Sequence, residues 1–145
     1  AKEKTETFDL SELFENIINK YENPNISKDF KKRIYFNGRK NLIQRSVNNL
    51  IDNSIKYGKK TKLVLEKKKS NIFISIEDDG PGIPKSEYEN VIKPFYKIDK
   101  ARSESKSSVG LGLSISSDIV KSHGGDINFA KSNLGGLKVM ISLPV

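Results

Sequence analysis

Residues 41–58 run Asn-Leu-Ile-Gln-Arg-Ser-Val-Asn-Asn-Leu-Ile-Asp-Asn-Ser-Ile-Lys-Tyr-Gly, and the rest of the chain is organised around them. At helical period, Ile43, Val47, Leu50, Ile51 and Ile55 share one side. Arg45, Asn49, Asp52, Asn53 and Lys56 share the other, with Tyr57 at its margin. An ordinary amphipathic helix turns Lys and Glu toward water. This one stacks two carboxamides a turn apart, with an acid between them and a basic-aromatic pair beyond. Carboxamides offer neutral oxygens and N–H groups, which suit a hydrated Mg²⁺ and the phosphates it bridges. Lys56 adds a point charge for phosphate, and Tyr57 adds a flat face for a ring. The plain alternative is a solvated face that carries Asn by chance, and two later stretches weigh against it.

A length of 145 residues suits one domain with a real core. Hydrophobic residues at 35% and charged residues at 30% are enough for a chain that folds and stays soluble. No apolar run approaches the ~20 residues that span a bilayer. The first nine residues are polar and charged, so no signal peptide is expected. With no cysteine, disulfides, zinc–thiolate sites and thiol catalysis are excluded, which fits a cytoplasmic domain. The formal charge of +8 raises the question of nucleic acid. The excess sits in short runs, Lys31-Lys32-Arg33, Lys59-Lys60 and Lys67-Lys68-Lys69, the last two at the turns flanking a strand. Solvated turns account for them better than a nucleic-acid groove, so no nucleic-acid partner is expected. A polyanion such as a nucleotide would still gain from the field.

In chain order, residues 5–9 suggest a short strand ending at a helix start. Asp9 and Glu12 have capping-box spacing, and Leu10, Leu13, Phe14, Ile17, Ile18 and Tyr21 give a core-facing helix. Asn23-Pro24-Asn25 should stop it. Ile34-Tyr35-Phe36 suggests a strand, Asn37-Gly38 a turn, and Gly58 a left-handed cap at the end of the central helix. Strands are expected over 62–67 and 71–78, the second mostly buried because Ile72, Ile74 and Ile76 alternate with Phe73 and Ser75. Residues 85–109 lack clean periodicity and suggest a long functional loop. A helix should follow, with Leu111, Ile115 and Ile119 on one side, ending at His123-Gly124-Gly125. Two strands near 126–130 and 137–143, joined through Gly135-Gly136, complete a single domain over 1–145.

Two stretches besides the central helix carry chemistry. Asp78-Asp79-Gly80-Pro81-Gly82-Ile83 comes straight off a buried strand. Its glycines let backbone approach a ligand, and Asp78 can accept a hydrogen bond from an amine. Gly110-Leu111-Gly112 opens a helix, whose N–H groups suit an anion. Neither a Walker P-loop nor a dinucleotide G-x-G-x-x-G is present.

Taken together, Asn49-x-x-x-Asn53 with Lys56-Tyr57, Asp78-x-Gly80-x-Gly82, Pro94-Phe95-Tyr96-Lys97-Ile98-Asp99 and Gly110-Leu111-Gly112-Leu113 resemble the N, G1, F and G2 boxes of sensor histidine kinases. They come in that family's order and spacing, over nearly the whole chain. The Asp-Asp-Gly-Pro-Gly-Ile loop and the Leu-Pro-Val ending are most similar to the osmosensor (EnvZ-like) branch.

The resemblance implies the Bergerat fold, an α/β two-layer sandwich with a mixed sheet and helices on one face. It implies an ATP-binding catalytic domain of a histidine protein kinase, with ATP and Mg²⁺ as ligands. Asn53 would coordinate Mg²⁺ with Asn49 beside it, Lys56 would reach phosphate, and Tyr57 would pack on adenine. Asp78 would accept the adenine amine, with Gly80, Gly82 and Ile83 close to the base. Residues 85–109 would be the ATP lid, placing Lys97, Ile98 and Arg102 toward the nucleotide, and Val109, Gly110, Leu111, Gly112 and Leu113 would close the phosphate end. The implied partners are a dimerisation domain carrying the acceptor His and the receiver domain of a response regulator. The parent would be a homodimeric sensor in the bacterial inner membrane, with this domain in the cytoplasm. On this resemblance residues 1–7 would lead out of the dimerisation domain, and the domain alone would have little or no autokinase activity.

The chain departs from the pattern in two places. The F box usually has Phe-x-Arg, and here Lys97 keeps the charge but loses the bidentate fork. Ser108-Val109 replaces the usual Gly-Thr. The lone histidine, His123, precedes two glycines and suits the C-terminal end of a helix better than a phosphoacceptor. Two other classes compete with the kinase. A gyrase- or MutL-type ATPase needs a Glu on the central helix to activate water, where this chain has Asn49. A basic binding module would show salt-sensitive nucleic-acid binding that ATP does not displace.

Overall fold

The computed structural model describes residues 2–96 and 109–145, with side chains from 112 onward in the second stretch. Its elements are β1 (Glu6–Asp9), α1 (Leu10–Tyr21), β2 (Ile26–Phe30), β3 (Tyr35–Gly38), α2 (Lys40–Tyr57), β4 (Thr61–Lys68), β5 (Asn71–Asp78), a 3₁₀ turn at Lys85–Glu87, α3 (Val109–Ser122), β6 (Asp126–Lys131) and β7 (Leu137–Pro144). Five strands form one mixed sheet in the order β2-β4-β5-β7-β6, in which only β2 and β4 run parallel. β1 and β3 pair separately as a two-stranded antiparallel ribbon.

Alternation along the strands decides which face is covered. Leu63 and Leu65, then Ile72, Ile74 and Ile76, then Val139, Ile141 and Leu143 are all buried, and they meet across strands in register. Their covering layer is α2 and α3, which present Ile43, Val47, Leu50 and Ile51, and Leu113, Ile119 and Val120. The opposite face keeps Phe73 and Lys62 exposed, so the molecule is a two-layer α/β sandwich. α1 closes one side through an edge-on contact of Phe14 with Phe30, ring centroids 5.6 Å apart.

Most local expectations hold. Asp9 caps α1, its Oδ1 accepting the N–H groups of Ser11 at 2.9 Å and Glu12 at 3.4 Å. Two expectations do not, and one strand is additional. Asn37 and Gly38 lie inside β3 rather than in a turn, paired with Thr7 and Glu6. Residues 26–30 form an unforeseen strand, a parallel edge strand whose middle three residues are exposed and so carry no alternation signal. Gly58 is extended (φ −122°, ψ 172°), not left-handed.

Asp79, just past β5, anchors the start of β4. Its Oδ1 accepts the backbone N–H groups of Lys59 at 2.7 Å and Lys60 at 2.9 Å. These bonds, the one from Lys60 foremost, hold its carboxyl below the usual range although it is exposed.

Two outcomes follow for stability. Leu50, 2% exposed, lies under the sheet, and Leu50→Ala should cost about 2–5 kcal/mol in urea unfolding through the cavity it leaves. A carboxyl whose folded pKa is depressed contributes stability above its unfolded value, and that contribution is lost as pH falls through the folded value. Asp79→Ala should therefore melt below wild type at pH 7, with the gap closing below about pH 4. A gap that is constant with pH would show that the carboxylate is not what holds the turn.

Candidate nucleotide site

β5 delivers Asp78 to the helix side of the sheet, because it continues the inward series Ile72, Ile74 and Ile76. Its carboxyl is buried at 4% exposure. Oδ1 accepts the N–H groups of Gly80 at 2.9 Å and Leu137 at 3.3 Å. Backbone donors orient a buried carboxylate in this way. Gly136 makes this possible. A Cβ there would lie 2.1 Å from Asp78 Oδ1, and the Gly136 N–H donates to the Asp78 carbonyl at 3.0 Å. The chain pattern had marked Gly135-Gly136 only as a turn, and the missed signal was the pairing of β7 with β5 that sets Gly136 against the acid.

The loop after Asp78 packs on the end of α2. A Cβ on Gly80 would stand 2.7 Å from the Tyr57 carbonyl oxygen, so glycine is needed here for the chain's own packing. Gly82 takes a positive φ of 73°. Ile83 is buried behind it. An open groove of about 490 Å³ runs along Pro81, Gly82, Ile83, Tyr88, Phe129 and Gly136. It shares the loop with Asp78 but includes no residue of α2.

α2 and α3 meet through small side chains. Ser46, Ser54, Ser116 and Ser117 are buried, and Ser116 Oγ donates to the Ser46 carbonyl at 3.0 Å. This closeness brings Gly112, in the first turns of α3, against Asn53: a Cβ at 112 would be 3.1 Å from Asn53 Nδ2. Asn53 Nδ2 is buried and has no hydrogen-bond partner among the described residues. A buried amide N–H without an acceptor costs stability, and it marks a place where an acceptor is missing.

Asn49 lies one turn before Asn53 and is half-buried. Lys56 Nζ lies 6.0 Å from the centroid of the Tyr57 ring, at the outer limit for a cation over an aromatic face. Asp52 belongs elsewhere. It is exposed and accepts the Tyr21 hydroxyl at 2.9 Å, tying α1 to α2. Burial, followed by this bond and the Asp52 charge, pushes the Tyr21 hydroxyl well above its ordinary pKa. Leu113 is buried in α3. Val109, Gly110 and Leu111 lie in its first turn, while Lys97, Ile98 and Arg102 fall outside the described residues. Before them, Val91 is fully buried and Tyr96 hydrogen-bonds Glu87 through its hydroxyl, while Phe95 is exposed.

His123 lies just past α3 and both its ring nitrogens are engaged. Nε2 accepts the Arg39 N–H at 3.0 Å, which leaves Nδ1 to donate to the Ile119 carbonyl at 2.8 Å.

Comparison with known proteins agrees with this architecture. The chain is 30% identical over 98% of its length to the sensor histidine kinase GtrS of Pseudomonas aeruginosa, and 33% over 74% to the sensor histidine kinase CpxA of Escherichia coli. It spans 29% and 24% of those relatives' own lengths. In fold it matches the catalytic domain of histidine kinase ThkA with a TM-score of 0.83 at 24% identity, covering 97% of this chain and 95% of that one. The mycobacterial sensor histidine kinase MprB matches with a TM-score of 0.81 at 24% identity, covering 97% of both chains. The model of the histidine kinase-, DNA gyrase B-, and HSP90-like ATPases matches residues 38–145, from the end of β3 through β7, and the chain belongs to that family.

Proposed function

We propose that this chain is the ATP-binding catalytic unit of a sensor histidine kinase, holding Mg-ATP with its γ-phosphate directed to a histidine on a separate dimerisation domain. The observation that carries the reading is Asn53. Its buried amide, without a partner among the described residues, faces the Gly112 turn of α3, where a phosphate oxygen would supply an acceptor. Asp78 would accept the exocyclic amine of adenine while its other contacts hold it in place, and Gly80, Gly82 and Ile83 would shape the wall beside the base. Asn49, Lys56, Tyr57, Val109, Gly110, Leu111 and Leu113 would complete the site. Residues 85–109, with Lys97, Ile98 and Arg102, would form the lid over it.

The donor set suits Mg²⁺. Among the described residues no group of three or more His, Cys or acidic side chains exists to hold a metal by itself. Mg²⁺ takes one or two protein oxygens and completes its shell with phosphates and water. The Asn53 carboxamide oxygen would be the protein ligand, and the ion when bound supplies neutralisation of charge on the β- and γ-phosphates. In the transfer, an imidazole nitrogen of the acceptor bonds to the γ-phosphorus, the bond to the β-bridging oxygen breaks, and ADP leaves. The contribution of this domain is positioning. His123 is not the acceptor in this scheme, since both its nitrogens are occupied within the fold.

The phosphohistidine would then be the donor to the aspartate of a response-regulator receiver domain. No described helix is long and apolar enough to cross a membrane, and sensor kinases among the relatives support a parent that is a membrane-bound homodimer with this domain in the cytoplasm.

Calorimetric titration tests the reading. Wild type should take up ATP in preference to GTP, and Asp78→Asn should weaken ATP by tenfold or more while narrowing that preference. Asn53→Ala should remove most of the Mg²⁺ dependence of binding but leave Mg-free nucleotide binding less affected. No uptake by wild type at millimolar ATP, or an Asp78→Asn variant that binds as wild type does, would sink the proposal.

A further inference from the structure

Helix α2, which carries Asn49 and Asn53, begins without a cap of its own. Its N-cap residue is Arg39, a side chain with donors only, and no side-chain bond from that position satisfies the first turn. The opening N–H groups of a helix carry partial positive charge and need acceptors.

The acceptor comes from the far end of the sequence. Glu3 Oε2 accepts the Asn41 N–H at 2.7 Å, and its Oε1 accepts the Leu42 N–H at 3.2 Å. These are the donors an N-cap side chain would normally satisfy. The β1–β3 ribbon explains the delivery. Its register pairs Glu6 with Gly38, and carrying it three residues further brings position 3 level with position 41. Lys2 and Lys4 flank Glu3, so it is the one anion of that short run. On the other side, His123 accepts the Arg39 N–H at 3.0 Å, and the Arg39 guanidinium donates to Ser122. The start of α2 is thus held by two outside segments, one at residues 2–5 and one at the end of α3.

We propose that Glu3 is a positioning residue for the nucleotide site, a detachable anionic cap through which the segment at residues 2–5 sets the seating of α2. This rests on the reading of α2 as the nucleotide helix. With the segment in place, the first turn of α2 is satisfied and its axis is fixed at both ends, by Glu3 and His123 at the start and by the Gly80 loop at Tyr57. With the segment displaced, the first turn loses two acceptors at once, and the carboxamides about two and three turns further on are held less firmly.

The test compares wild type, Glu3→Ala, Arg39→Ser and the double variant Glu3→Ala/Arg39→Ser. Amide hydrogen exchange is read by NMR and ATP affinity by titration. Glu3→Ala should speed exchange at Asn41 and Leu42 about fivefold or more. It should also raise the ATP dissociation constant about threefold with the melting transition still cooperative. Serine at position 39 supplies a local cap but removes the Arg39–Ser122 bonds, so the double variant is read against Arg39→Ser alone, from which it should differ in neither exchange nor affinity. Unchanged exchange at Asn41 and Leu42 in Glu3→Ala would overturn the cap. Faster exchange with unchanged affinity would overturn the positioning role, and so would a double variant that differs from Arg39→Ser. Absence of ATP binding in wild type would overturn the nucleotide reading itself and this proposal with it, whereas normal wild-type binding with unshifted Glu3→Ala affinity would overturn this proposal alone.

Discussion

The close approach of α2 to α3 is the constraint on which the rest depends. Two helices that pack through Leu or Ile sit about 8–10 Å apart, and smaller contact residues draw them closer. Here Ser116 and Ser46, both buried, meet across the contact. Only then can the backbone at Gly112 lie against the Asn53 amide. Buried serines cost solvation, which the Ser116 to Ser46 carbonyl bond partly offsets. Ser46 Oγ remains buried without a partner, a residual cost of the short separation. A leucine at either of these positions would gain apolar burial and push the helices apart. The core is held below its best packing so that the site can exist.

The second constraint is the sheet's alternation, which runs without interruption from core to site. Ile72, Ile74, Ile76 and Asp78 occupy successive inward positions of one strand. The first three drive burial and the fourth is buried with them. A carboxylate carried inward in this way must find donors. It finds the N–H groups of Gly80 and Leu137, while the glycine at 136 removes the Cβ that would occupy the same space. Fold and the proposed recognition are therefore one feature here, since a slip of one residue in the register of β5 would turn the acid out and the outer-face residues in.

Much of this was legible in the chain because strong periodicities carried it. The 3.6 period of α2 and the alternation of β5 each combine a buried face with a polar exception, and the exceptions, Asn53 and Asp78, stand at the site. What was not legible depended on contacts between distant segments. β2 is held by its parallel partner β4 and not by its own pattern. Gly58 suggested a left-handed cap because glycines often end helices that way. Its real constraint is space, since a Cβ there would come within 2.8 Å of Asp79 Oδ1 and 3.0 Å of the Gly80 nitrogen. Gly38 is similar, packed against Phe36 and His123 within a strand. Local propensity identifies a glycine, but only the tertiary neighbours say whether it is there for its φ or for its missing side chain.

Asp52 shows the same limit on the polar side. By helical wheel it belongs with Asn49 and Asn53, yet it bonds to Tyr21 and ties α1 to the outside of α2. A wheel gives direction to within a side of the helix, and one side of α2 must serve two neighbours, α1 and the nucleotide site. Side-chain chemistry separates these uses. The charged acid goes to the hydroxyl at the exposed edge, where water can share its charge, and the neutral carboxamide goes to the buried seam. An acid in the Asn53 position would repel the phosphates that the proposed function places there, and a carboxamide at position 52 would hold Tyr21 less strongly. The polar face of α2 is thus graded, ionised where it is wet and neutral where it is buried, and that gradation gives the cluster of Asn residues a physical reason.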